Sequence, residues 1–155
     1  MAELFDIAAI GNAIVDVIAP AEEAFLRDEG LDKGSMMLVD EARGRDLYSR
    51  MKPGVETSGG SAANTVAGLA SLGGKAAFLG KVANDQLGEV FAHDMRAGGA
   101  HFSTSPLIGG MATARCLVNV TADGERTMST FLGASTEFTA DDIDPAIIEA
   151  ANIVY

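Results

Sequence analysis

The sequence predicts an α/β fold, a mainly parallel sheet flanked by helices with a small antiparallel addition, on three observations. Strand-like apolar runs alternate with segments of helical period, as strand–helix–strand units do. Glycine pairs fall at the breaks, at Gly59-Gly60, Gly73-Gly74 and Gly98-Gly99. Towards the end, two β-type runs flank Asp123-Gly124, the signal of a hairpin with a short loop.

Each element has a local reason. Phe5 to Gly11 reads as a buried strand, and Ala13 to Ile18 as its continuation or a second strand. Ala21 to Glu29 predicts a short helix, acidic near its start and stopped by Gly30. Met36 to Val39 is a short strand, Glu41 to Met51 a helix with Leu47 and Met51 four residues apart, and Pro53-Gly54 a turn. Ser61 to Leu72 has small residues throughout and apolar positions at Val66, Leu69, Ala70 and Leu72, which predicts a closely packed helix. Ala76 to Val82 follows as a strand and Gln86 to Arg96 as a helix, with Asp85 placed as its N-cap. Ala114 to Val120 and Thr127 to Leu132 are the arms of the hairpin. Thr139-Ala140-Asp141-Asp142 has the spacing of a capping box, with Asp for the usual Glu, and predicts a helix to about Ala151. Asn152 to Tyr155 reads as the start of a strand. A sheet that stops there keeps an unpaired edge, so the expectation is an N-terminal portion of a longer protein.

Composition narrows the function. Among 155 residues, 48% are hydrophobic, enough for a sizeable core, and the net charge is −11. Such a surface repels phosphodiester backbones and anionic lipid, which argues against nucleic-acid and membrane-surface binding. Cys116 with His93 and His101 can build neither a zinc site nor a disulfide framework, and Cys116 is expected to be buried. The start carries no basic segment of a signal peptide. Ile7 to Ala19 is broken by Asn12 and Asp16 and too short to span a bilayer. Asn119-Val120-Thr121 fits a glycosylation sequon by chance, and the expected compartment is the cytoplasm.

Two features can carry chemistry. If residues 12–17 are one strand, Asn12, Ile14 and Asp16 share one face while Ala13, Val15 and Val17 share the other. An amide and a carboxylate on a half-buried face need partners. Asp16 either accepts hydrogen bonds from a ligand's hydroxyls or caps a neighbouring loop or helix. The second feature is Gly59-Gly60 ahead of a helix. Glycines let a ligand approach the backbone, and the helix start offers free N–H groups and partial positive charge. Ser61 and Asn64 share the first turn, and both donate and accept. The alternative is a tight turn with Ser61 as an ordinary N-cap. A P-loop is absent, since Gly80-Lys81 runs into Val82, and no G-x-G-x-x-G opens a helix after the first strand. Nor does any segment form a nucleophile elbow.

Taken together, the Gly11–Asp16 spacing, GGSAAN at 59–64, Gly73 and GKVANDQLGE at 80–89 resemble the ribokinase family, the PfkB carbohydrate kinases, along the whole chain. Val66 and Ala83 depart from the family signature, which has a small residue and a glycine there. The order GNAIVD, LVDEA, SGGSAANT is most similar to the adenosine-kinase-like branch of nucleoside and sugar kinases. The resemblance implies a ribokinase-like fold with a β lid from segments at about 13–19, 36–39, 55–58 and 112–132. It implies that Asn12, Asp16, Gly59, Gly60 and Asn64 surround a sugar ring, with Asp16 on ribose-type hydroxyls and Ser61 a lesser contact. Ile14 and the 114–120 strand would form the apolar wall. The implied reaction moves the γ-phosphoryl of ATP, with Mg²⁺, to a hydroxyl of a small-molecule sugar or nucleoside. The family's catalytic Asp, in a GAGD-like loop, has no counterpart, so no catalytic residue and no metal ligand is expected in 1–155. The nucleotide-binding half is expected beyond it. A non-catalytic sugar- or nucleoside-binding module of the same fold is the alternative. The resemblance also leaves open a homodimer through the lid. Only 6% of residues are aromatic, which offers no purine-stacking platform.

Overall fold

Two sheets share one chain in the computed structural model, which describes residues 4–155. The strands are β1 (Phe5–Ile10), β2 (Ile14–Pro20), β3 (Met36–Leu38), β4 (Val55–Gly59), β5 (Ala76–Leu79), β6 (Ala114–Val120), β7 (Arg126–Phe131) and β8 (Ala151–Val154). The helices are α1 (Glu23–Asp28), α2 (Glu41–Arg50), α3 (Ser61–Ser71), α4 (Gln86–Ala97) and α5 (Pro145–Glu149).

The first sheet has the order β5-β1-β8, and both pairings are parallel. Parallel neighbours need crossovers, and helices on both faces supply them. That is why β5 reads as a continuous apolar run and β1 as one broken only by Asp6. On one face Ala9 and Phe78 meet Val66 of α3 and Phe91 and Met95 of α4. On the other, Phe5, Ala8, Ala77 and Leu79 meet Ile147 of α5.

The second sheet has the order β3-β7-β6-β2-β4. Its strands come from the segments expected to form a lid. An antiparallel arrangement is expected there, but the pairing is mixed: β2–β4 and β6–β7 are antiparallel, while β2–β6 and β3–β7 are parallel. The reason is topological. Between β2 and β6 the chain leaves to build α3, β5 and α4, and it returns from the same end. One face of this sheet lies on α1 and α2, where Val17 and Leu117 pack with Leu26, Leu31 and Leu47. Burying a leucine such as Leu47 contributes about 2 kcal/mol. The same helices are tied by Glu29, which accepts from Arg43 at 3.0 Å and from Arg50 at 2.7 Å.

Most local expectations hold within a residue or two. The hairpin closes through residues 121–125, with the Thr121 N–H donating to the Glu125 carbonyl and Gly124 at φ +85°. The predicted helix from Thr139 to Ala151 is corrected. Its capping box forms, the Thr139 N–H donating to Asp142 at 2.9 Å, but only a 3₁₀ turn follows, Ala140–Asp142. Asp144 is then extended and caps a new helix that begins at Pro145. Proline disfavours helical backbone at the residue before it and is at home in a first helical turn. Lys81, just after β5, pairs with Asp142 of that turn. Among the described residues, no helix is long and apolar enough to cross a membrane.

Candidate functional site

The two faces of β2 are unlike. Val15, Val17 and Ala19 are buried, while Ile14, Asp16 and Ile18 on the opposite face are half-buried. Asn12 is exposed and lies in the link between β1 and β2, so the strand face expected to carry it begins only at Ile14.

Paired residues on neighbouring strands point to the same side of a sheet. The register therefore lines Thr57, Asp16, Cys116 and Thr130 in one row across β4, β2, β6 and β7. The row nearer the first sheet is Gly59, Ile14 and Ala114. The row beyond it holds Val55, Ile18, Val118 and Met128. None of these residues is aromatic. Cys116 is buried as expected, its thiol pushed up by that burial, and Thr130 Oγ1 donates to its Sγ at 3.3 Å.

Asp16 leans over Gly59. A Cβ at Gly59 would stand 2.5 Å from Asp16 Oδ2 and 2.6 Å from Oδ1, so the carboxylate occupies space that only glycine leaves open. Gly60 is the N-cap of α3 at φ +93°, and a Cβ there would stand 2.7 Å from the Asn12 carbonyl oxygen. Gly11 also makes room, since its Cβ would stand 2.6 Å from that of Ala62 in the first turn of α3. The reading of Ser61 as an N-cap is thereby corrected: Ser61 is inside the helix, and no side chain caps α3. Ala62, Ala63 and Val66 bury one face of α3, which leaves Ser61 and Asn64 exposed on the other.

Among the described residues, none donates a hydrogen bond to the Asp16 carboxylate, so it caps neither a loop nor a helix. Burial raises its pKa above the ordinary aspartate value, and the charge of Arg126 pulls the other way. A half-buried carboxylate without a partner, beside an uncapped helix start, is suited to accept hydrogen bonds from a neutral polyol. The structure thus brings Asn12, Ile14, Asp16, Gly59 and Gly60 together, with Ser61 and Asn64 on the adjacent turn. Sequence reasoning missed Thr57, beside Asp16, and Thr130, one strand beyond Cys116, because only the strand register places them in the row of Asp16. Among the described residues, no three His, Cys, Asp or Glu side chains stand close enough to hold a metal ion.

The fold has close counterparts in solved structures. An adenosine kinase from Sinorhizobium meliloti is 53% identical, with a TM-score of 0.90 over 97% of this chain and 46% of its own. A probable sugar kinase from Rhizobium etli is 49% identical, also at 0.90, over 99% of this chain and 46% of its own. Fructokinase-1 of Zea mays is 31% identical over 103 residues, 65% of this chain and 32% of the maize protein. The chain therefore spans about half the length of those solved relatives and about a third of the fructokinase. The model of the pfkB family of carbohydrate kinases matches residues 5–155, nearly the whole sequence, and with the ribokinase-like fold already described it makes the chain a member of that family.

Proposed function

We propose that residues 1–155 form the acceptor-recognition part of a cytoplasmic, ATP-dependent kinase that phosphorylates a hydroxyl of a sugar or nucleoside. The observation that carries this reading is Asp16: a half-buried carboxylate without a protein donor, held against the backbone of Gly59. Its oxygens accept from two acceptor hydroxyls and so fix the ring. Asn12, Gly60 and Asn64 bound the same space from the β1–β2 link and the first turn of α3, with Ser61 at its margin. Ile14, with Ala114 and Val118 of β6, supplies an aliphatic wall against the less polar face of the ring. The second sheet acts as a lid. Its apolar rows exclude water, which otherwise competes with the acceptor hydroxyl for the phosphoryl group.

In this reading ATP supplies the phosphoryl group and Mg²⁺ the counter-charge, and both would be held mainly by residues outside 1–155. The catalytic base would also lie outside. The relatives support the reaction class, since an adenosine kinase and a probable sugar kinase are about half identical to this chain.

The test is ATP-dependent phosphorylation by the full-length protein across adenosine, ribose, fructose and related sugars. One of these compounds is expected to be a substrate, and Asp16→Ala is expected to lower kcat/KM for it by about 100-fold, the cost of losing charge-assisted hydrogen bonds. Full activity in Asp16→Ala would remove Asp16 from the site. Measurable kinase activity from residues 1–155 alone would show that the base lies within them.

A further inference from the structure

Helix α4 touches the second sheet through two carboxylates, one at each end. At its start, Asp85 caps the helix by accepting the Gly88 N–H at 2.9 Å. The same carboxylate accepts the Thr113 N–H at 2.9 Å and the Thr113 hydroxyl at 2.6 Å. Thr113 is fully buried, and its Oγ1 also accepts the Ala83 N–H at 2.9 Å. Thr113 immediately precedes β6. Nine residues along the helix, Asp94 accepts the Ser58 N–H at 2.8 Å. Ser58 lies on β4, immediately before Gly59.

The placement of these two contacts is the point. β6 and β4 are the strands on either side of β2. Ile14 of β2 pairs with Ala114 on one side and with Gly59 on the other. So α4 holds both neighbours of β2 one residue before the row that adjoins Asp16. β4 is also the edge of its sheet, and an edge strand has outward N–H groups that the ladder cannot satisfy. A carboxylate accepting such an N–H makes a charge-assisted bond, stronger than the amide pairs it replaces.

We infer that Asp94 is a positioning residue for the acceptor site: by holding Ser58 it fixes β4, and with it Gly59-Gly60, at the distance from Asn12 and Asp16 that the acceptor requires. Asp85 does the same for β6 through Thr113. Asp94 acts only through the backbone of β4 and touches no acceptor atom. Asp85 is also the cap of α4, so its loss would unsettle the helix itself. Within α4 the Asp94 side chain meets only the exposed His93 Nδ1, at 3.4 Å, and caps nothing, so its loss isolates the positioning role. The inference rests on the functional reading of the Asp16 site, and one arm of its test is independent of that reading.

The experiment compares Asp94→Ala and Asp94→Asn with the parent in the full-length protein. Backbone hydrogen exchange across residues 55–60 and steady-state kinetics with the acceptor substrate are read side by side. Asp94→Ala is expected to speed exchange of the Ser58 amide and its neighbours by about tenfold, with α3 and α4 unchanged. It is expected to raise KM for the acceptor by about tenfold, with kcat and the KM for ATP within about threefold of the parent. Asn keeps a carbonyl oxygen at the same place, so Asp94→Asn restores both readings to within about threefold. Faster exchange with an unchanged acceptor KM would reduce Asp94 to a structural tie. A raised KM without faster exchange, or the same loss in Asn as in Ala, would overturn the tether. Should no sugar or nucleoside be phosphorylated by the parent, the functional reading fails on its own, and the exchange comparison still decides whether Asp94 holds β4.

Discussion

The two faces of β2 teach how one strand serves two ends. Val15, Val17 and Ala19 face inward, and Val17 is sealed by α1 and α2 with Leu117 from the next strand. Ile14, Asp16 and Ile18, alternating with them, face the other way and stay half-open. The inward face contains only groups that gain from burial. The outward face contains a carboxylate that burial penalises, that no described residue hydrogen-bonds, and whose penalty the charge of Arg126 offsets only in part. The first face determines where the strand lies, and the second spends part of that stability on a group kept ready for a ligand.

Three substitutions break or sharpen this contrast. The largest effect is expected behind the inward face. Leu47→Ala leaves a cavity between α2 and the sheet and should lower the unfolding free energy by about 3 kcal/mol in urea titration, with acceptor KM unchanged for the folded fraction. On the outward face, Gly59→Ala should act in the opposite manner. Its Cβ takes the place of the Asp16 carboxyl, a side chain that can swing aside, so acceptor affinity should fall by about tenfold to 100-fold while stability changes little. A double variant with Asp16→Ala should be no worse than Asp16→Ala alone, because both remove the same carboxylate from the same place.

The smallest effect tests the cost of the charge itself. Asp16→Asn should raise Tm by a few degrees near neutral pH while weakening the acceptor. The sign follows from the raised folded-state pKa of Asp16. Below the unfolded value, about pH 4, the group is protonated in both states and costs nothing. As pH rises through the folded value, the native state must hold a charge that burial disfavours, so stability is lost. The parent and Asp16→Asn should therefore converge in acid and separate above it. Equal Tm values across the whole range would mean that the Asp16 charge carries no penalty.

Much of the fold was legible because its signals are local. Glycine pairs end α3 and α4, Asp123-Gly124 turns the hairpin, and the polar interruptions of the first apolar run mark β2. The split of the last helix was also local, since Pro145 lies within the predicted span, and the capping box drew the reading past it. Other features were not legible in this way. β4 has no clear alternation, and it was expected only from the family resemblance. The register that puts Thr57, Cys116 and Thr130 in one row with Asp16 joins residues far apart in the chain, as does the bond from the Ser58 N–H to Asp94. The candidate site residues do lie in one neighbourhood of the fold, but the face that surrounds them comes from pairing alone.

Cys116 stands in the row beside Asp16, protonated and shielded, with Thr130 donating to its sulfur. Thiol chemistry runs through the thiolate and needs access, so this buried sulfur is slow to react. Any motion that loosens the pairing of β2 with β6 exposes this sulfur beside the carboxylate it is paired with. The rate at which an alkylating reagent finds Cys116 is therefore a built-in clock for opening of the sheet beside Asp16, and it needs neither a substrate nor a change in the sequence to be read.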